Sequence, residues 1–163
     1  MSRAAICVAV ALCLAQSAAA VLPRHGTLVP GRSLGGVRLG ETAAQVRATL
    51  GRGYGVCRGC ATPTWYFTYL RFDRRGLAVE LTGNRVSAVY TLWQPGGWSA
   101  PKGLLLGAAQ AEVTNLAGPL LPVTCTGYDA LVRDVAAART AYYIVNGSLW
   151  GFGLLRAHGY PCR

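Results

Sequence analysis

The chain has 163 residues, 52% of them hydrophobic, and a formal charge of +10 from 16 Lys and Arg against 6 Asp and Glu. That length fits one domain, or two small ones sharing a core, and the apolar content excludes a disordered chain. Two histidines and six carboxylates leave little material for acid–base catalysis.

Met1-Ser2-Arg3 is a short positive start, Ala4 to Ala15 is nearly unbroken apolar sequence, and Ala18-Ala19-Ala20 fits a small-residue cleavage site. Residues 1–20 therefore read as a secretory signal peptide cut after Ala20. The alternative is a retained anchor, but the run is barely long enough to span and contains Gln16 and Ser17. Leu12 precedes Cys13 where a lipoprotein site wants a small residue. No second segment is long enough to span a membrane. Cleavage removes Arg3, Cys7 and Cys13 and leaves Cys57, Cys60, Cys125 and Cys162. An even count in an exported chain implies two disulfides and a secreted or cell-envelope location.

After a tail over 21–32, the chain divides into a first unit over 33–93, a linker over 94–101 and a second unit over 102–163. Gly36 to Gly51 is echoed by Gly103 to Gly118, with six of the sixteen positions identical. Thr42 with Gln45 predicts a capping box, whereas Ala109 cannot supply the matching hydroxyl ahead of Glu112. Val46 and Leu50 form one apolar helix stripe, and Val113, Leu116 and Ala117 the other. Gly51 and Gly118 stop the helices, with Pro119 reinforcing the second stop.

Strands follow each helix. Trp65 to Phe72 reads as the first, Leu77 to Leu81 as the second and Arg85 to Trp93 as the third. Asp73 to Gly76 and Thr82-Gly83-Asn84 are the turns between them. Thr140 to Val145 and Leu149 to Leu155 form a hairpin about Asn146-Gly147, the strongest short hairpin signal. Tyr128 to Val135 is favoured as a strand, with a short helix running to Arg139 as the alternative. The expected fold is α+β: two tandem helix-plus-antiparallel-strand repeats joined in one continuous sheet, with short helices on one face. Cys57 and Cys125 occupy equivalent places in the two units. Of three possible connectivities, this favours Cys57–Cys60 and Cys125–Cys162.

Gly36, Leu39, Gly40, Val46 and Gly51, then Gly103, Leu106, Gly107, Val113 and Gly118, give a G-x-x-L-G unit with a short helix twice. This pattern resembles the β-lactamase-inhibitory-protein family and the related SmpA/OmlA outer-membrane assembly lipoproteins, over Gly36 to about Arg156. The resemblance implies cysteines paired within each unit and a concave sheet face, with turn loops, that grips a target enzyme. Its residues are scaffold residues, and no inhibitory contact carries over.

Cys57-Arg58-Gly59-Cys60 matches C-x-x-C, but a redox motif needs a helix starting at the first cysteine, and both flanks here read as loop. A four-cysteine zinc site lacks close spacing in its second half. His25 and His158 sit in no recognisable motif, and no G-x-S-x-G is present. Asp129 with Asp134, or Asp73 with Glu80, form formal carboxylate pairs that solvation and turn formation explain better. No catalytic, cofactor-binding or metal residue is expected.

Aromatic residues are the better clue. Alternation puts Phe67 and Tyr69 on one face of their strand, and Tyr66, Leu70 and Phe72 on the other. Helices cover only one face, so an exposed aromatic surface is expected, made by Trp65, Phe67, Tyr69, Arg71, Trp93, Trp98, Tyr143 and Trp150. Trp98, between flexible segments, is expected to be the most exposed ring. Arg71, Arg74, Arg75 and Arg85 cluster around one predicted hairpin region and suit an acidic protein or an anionic polymer or lipid. Export and the lack of a recognition motif disfavour nucleic acid. These features point to a monomeric, exported, non-enzymatic binding protein whose partner is a protein or an anionic cell-envelope component. The alternatives are an inhibitor of an extracellular enzyme, with the Gln94–Pro101 linker as its projecting loop, and a thiol–disulfide active protein using Cys57 and Cys60.

Overall fold

Alternating apolar residues separated by two-residue turns dominate the chain, and the computed structural model folds them into one antiparallel sheet of eight strands. It describes residues 22–163. The signal-peptide reading, with Cys7 and Cys13, lies outside the described residues. In chain order the elements are β1 (Leu28–Val29), β2 (Ser33–Leu34), α1 (Ala43–Leu50), β3 (Gly55–Val56), β4 (Thr64–Thr68), β5 (Gly76–Thr82) and β6 (Arg85–Leu92). Then come a 3₁₀ turn at Pro101–Gly103, α2 (Gln110–Ala117), β7 (Leu121–Cys125), β8 (Tyr128–Val135), β9 (Ala138–Val145) and β10 (Ser148–Arg156). β1 and β2 pair in a small separate hairpin, and the large sheet runs β3-β4-β5-β6-β10-β9-β8-β7.

Local chemistry explains the hairpins. Gly83 and Asn84 between β5 and β6, and Asn146 and Gly147 between β9 and β10, all take positive φ. Two left-handed residues in succession match the right-handed twist of the flanking strands. Pro122 is tolerated in β7 because that strand is an edge, where a missing N–H breaks no central ladder. The Thr42–Gln45 capping box forms as its spacing requires, while Ala109 gives α2 no side-chain cap.

The expectation of an α+β fold made of two tandem helix-plus-strand repeats is corrected: the protein is mostly β. The two α-helices among the described residues have only eight residues each, about two turns. They supply little of the cover over the sheet. One face, carrying Phe67, Leu77, Val79, Tyr142, Phe152 and Leu154, is closed by Leu22, Leu28, Leu34 and Val37 from the N-terminal segment as well as by Val46, Leu50 and Val113 from the helices. Trp98 and Leu104 complete this cover. The edges also differ, since β3 has two residues and β7 has five.

The strand expected to reach Phe72 ends at Thr68, and 69–75 is a loop. Both disulfides form as favoured, Cys57–Cys60 and Cys125–Cys162. Thiols persist as disulfides in oxidising surroundings, so the folded chain belongs to an extracytoplasmic compartment. Among the described residues no helix is long and apolar enough to cross a membrane.

Candidate functional site

Among the described residues no helix lies over the second face of the sheet, whose register builds a groove. Tyr66 pairs with Ala78, Ala78 with Tyr90, and Tyr90 with Gly153, so these four lie in one line across β4, β5, β6 and β10. The neighbouring line runs from Gly151 through Tyr143 to Ala130. Large rings thus alternate with Ala and Gly, and the rings lie down over the small neighbours. A Cβ on Gly153 would sit 2.5 Å from the Tyr143 hydroxyl, so that ring position requires glycine.

The result is a cavity of about 470 Å³ lined by Tyr66, Tyr90, Tyr128, Tyr143, Trp93 and Trp150, with Arg163 at one end. That volume lies in the range of ligand sites, roughly 300–1,000 Å³. Two backbone irregularities aim its tryptophans. Trp150 is the extra residue of a bulge, because Leu149 faces Ile144 while Gly151 already faces Tyr143. Trp93 holds φ at 52° and remains 54% exposed. A bulky residue in the left-handed region is strained, and such strain concentrates at functional positions. The two rings meet edge to face, with centroids 6.5 Å apart.

One end of the groove is occupied by the protein itself. The Cys125–Cys162 disulfide draws residues 157–163 across the open face. The Tyr128 hydroxyl donates to the Arg163 carbonyl at 2.9 Å and also accepts the Arg163 backbone N–H. The Arg163 guanidinium sits 5.6 Å from the Tyr90 ring centroid, and its Nε is 3.1 Å from Glu80 Oε1. Burial, with Glu80 beside it, pushes the Tyr90 hydroxyl well above the ordinary tyrosine range. Burial does the same to Tyr143, whose hydroxyl has no hydrogen-bond partner among the described residues.

Of the residues expected on the binding surface, the groove unites Trp93, Tyr143 and Trp150. Trp65, Phe67, Tyr69 and Trp98 do not join it, which corrects the expectation. Phe67 is buried in the main core, and Trp65 stacks on Tyr54 at 4.1 Å beside that core. Trp98 is fully buried, and its Nε1 donates to the Tyr69 hydroxyl at 2.6 Å. The linker carrying Trp98 is therefore packed and does not project.

Arg71 is exposed on the 69–75 loop, outside the groove. Arg74 stacks over Trp93 at 5.2 Å, and Arg75 pairs with Asp73 at 2.9 Å. Arg85 lies at the opposite end of the sheet, donating to the Gly40 carbonyl, so the expected four-arginine cluster has three members at most. Cys57–Cys60 bridges the loop between β3 and β4, with no helix starting at Cys57. The formal carboxylate pairs do not form: Asp73 binds Arg75, Glu80 binds Arg163 and Asp134 binds Arg139.

Sequence reasoning missed Tyr66, Tyr90, Tyr128, Glu80 and Arg163 as site members. The available signal was Gly151 and Gly153 at strand period, since glycines on one face of a strand mark the close approach of another group.

The Asp73–Arg75 clamp gives a pH prediction. Hydrogen bonds from the Arg75 side chain and backbone hold the Asp73 carboxyl below the usual carboxylate range. The clamp's contribution is complete above that range and is lost as pH falls through the depressed folded value. A carboxyl-carbon NMR titration should place the Asp73 midpoint below that of an unstructured aspartate, and Arg75→Gln should return it upward.

No family model matches the chain, and no curated protein matches it in sequence. Solved structures do match in fold. An extracellular protein containing an SCP domain from Bacillus anthracis aligns with a TM-score of 0.54 at 11% identity, over 72% of this chain and 44% of the other. A DUF4309 family protein from Bacillus subtilis aligns with a TM-score of 0.52 at 15% identity, over 71% of this chain and 78% of the other. The chain thus spans less than half the length of the Bacillus anthracis protein. At these identities the likeness is one of fold. Both structures are of other kinds than the two families that the G-x-x-L-G units resemble.

Proposed function

We propose that this chain is an exported, non-enzymatic binding protein whose open-face groove takes an extended segment of a partner protein. The observation that carries this reading is the seat of Arg163 at one end of the groove. A tyrosine hydroxyl binds backbone there, a tyrosine face receives a guanidinium, and Glu80 pairs with it. A foreign polypeptide can use the same kinds of contact along the remaining rings. Tyr and Trp suit this work because they offer large amphipathic surfaces at low conformational-entropy cost, and aromatic-lined grooves are a recurrent way to hold extended peptides.

The test is selection of a phage-displayed library of linear peptides on the immobilised protein, followed by calorimetry with the synthesised winners. Trp93→Ala and Trp150→Ala should each weaken binding by tenfold or more, the scale of a well-packed aromatic anchor, while circular dichroism stays native. Failure to enrich any sequence, or binding indifferent to both changes, overturns the proposal.

A further inference from the structure

The loop that follows β4 holds apolar side chains in solvent by design of its hydrogen bonds. Phe72 is 90% exposed and Leu70 is 70% exposed. The Thr68 hydroxyl and the Asp73 N–H both donate to the Leu70 carbonyl at 3.0 Å. Asp73 Oδ1 accepts the Arg75 backbone N–H at 2.9 Å and its Nε at 3.1 Å, and Asp73 Oδ2 accepts Nη2 at 2.9 Å. A clamped turn therefore keeps Leu70 and Phe72 outward.

Trp93 stands at the same end of the sheet, because Gly76 pairs with Leu92. Guanidiniums lie among these apolar groups. Arg71 rests 5.6 Å from the Phe72 ring centroid and Arg74 rests 5.2 Å from that of Trp93. Beside the loop opens a hollow of about 620 Å³, with Arg52, Tyr54, Tyr69 and Arg71 in its lining. Asp73, the one carboxylate lining it, is taken by Arg75. Among the described residues neither Arg52 nor Arg71 has an ion-pair partner.

We propose that this end of the sheet rests on an anionic lipid bilayer. Leu70 and Phe72 enter the acyl region, Trp93 lies at the headgroup level, and Arg52, Arg71 and Arg74 hold headgroup phosphates. The alternation of apolar and basic residues along Leu70-Arg71-Phe72 is the argument for lipid over protein. Arginine itself is common at protein interfaces, but a protein partner would have to set a carboxylate between apolar pockets to pair each guanidinium as it is buried. At a bilayer surface the same alternation is sorted by depth, since long basic side chains keep their charge among the phosphates while apolar neighbours go deeper. Trp belongs at that boundary, and guanidinium is matched to phosphate in shape and charge. Two inserted side chains alone bind marginally, so a second, electrostatic signal is needed, and the arginines supply it. Trp93 belongs to both surfaces, but Leu70 and Phe72 do not line the aromatic groove, so the serine variants test this inference without touching the peptide site.

The test is sedimentation of the purified chain with vesicles of equimolar phosphatidylglycerol and phosphatidylcholine, against vesicles of phosphatidylcholine alone. Binding should appear on the anionic vesicles, weaken with added salt, and be near absent on the neutral ones. L70S with F72S should weaken it by tenfold or more, and Arg71→Glu with Arg74→Glu should abolish it. All four positions are exposed, so thermal melts should stay unchanged. No binding to anionic vesicles overturns the proposal, as does a double serine variant that binds at full strength. Concentration-dependent self-association of the vesicle-free protein that L70S with F72S removes would also overturn it, because a second copy would then be the occupant.

Discussion

Trp98→Ala should lower the unfolding free energy by about 3–5 kcal/mol, the range for removing a large aromatic from a core. Trp98 is 0% exposed, and its surroundings cannot close over the space it would leave. A Cβ on Gly26 would lie 2.6 Å from its ring, and one on Gly35 would lie 2.7 Å away. These glycines are the walls of the slot, and they carry no side chains to lean inward. The ring also donates its Nε1 proton to Tyr69, whose hydroxyl bonds onward to the Arg24 carbonyl at 3.4 Å. Losing the indole thus loosens the link between the N-terminal segment and the loop after β4 as well as opening a cavity. Trp98→Phe keeps most of the packing but leaves Tyr69 without its donor, and should cost less than the alanine change. Urea unfolding followed by circular dichroism reads both effects as shifts of midpoint at constant slope. A shift for the alanine variant no larger than a surface change gives, below about 0.5 kcal/mol, would refute this account of the core.

The same tryptophan shows where sequence reasoning stopped. Gln94-Pro95-Gly96-Gly97-Trp98 has the composition of a loop, and a ring among such residues reads as exposed. Glycine marks a flexible tip and a close packing contact equally well, and only the fold tells which. β5, β6, β9 and β10 with their two hairpins were legible because their signals are local: alternation, Gly83-Asn84 and Asn146-Gly147, as was the Thr42–Gln45 cap, whereas β1, β2, β3 and β7 carry no such signal.

Coverage of the sheet was not legible. Alternation did separate Phe67 and Tyr69 from Tyr66. Which set is buried, however, depends on Leu22, Leu28, Leu34 and Val37, which pack from a segment with almost no regular structure. The overrun of β4 has a similar cause. Leu70 and Phe72 continue the apolar alternation, but the Asp73 clamp on Arg75 turns the chain away first. The groove was hidden for a topological reason. Gly153, with Gly151 and Tyr143 beyond it, joins the line of Tyr66, Ala78 and Tyr90 only through pairing of β6 with β10, and those two strands are more than fifty residues apart in sequence.

The Cys125–Cys162 disulfide carries the second large prediction. Replacing Cys125 and Cys162 together with serine should cost about 4 kcal/mol by the loop-entropy estimate for a 37-residue separation. The corresponding change at Cys57 and Cys60 should cost about 2 kcal/mol, since three residues of separation restrict the unfolded chain far less. The difference between the two variants in urea midpoint, at matched slope, isolates the loop-length effect from the loss of sulfur packing. The Cys125–Cys162 change should also act on the groove. The disulfide holds residues 157–163 to the end of β7, and Arg163 reaches Glu80 and Tyr90 only from there. Without it Arg163 leaves, Glu80 loses its counter-charge and the occupied end of the groove opens. Hydrogen exchange should therefore rise at 157–163 while β6, β9 and β10 stay protected. Peptides selected on the wild-type protein should then bind no more weakly, and basic peptides should bind more tightly as they take the vacated place beside Glu80. Loss of protection throughout β9 and β10 would instead make the arm part of the sheet's own stability, and the groove would have no end to open.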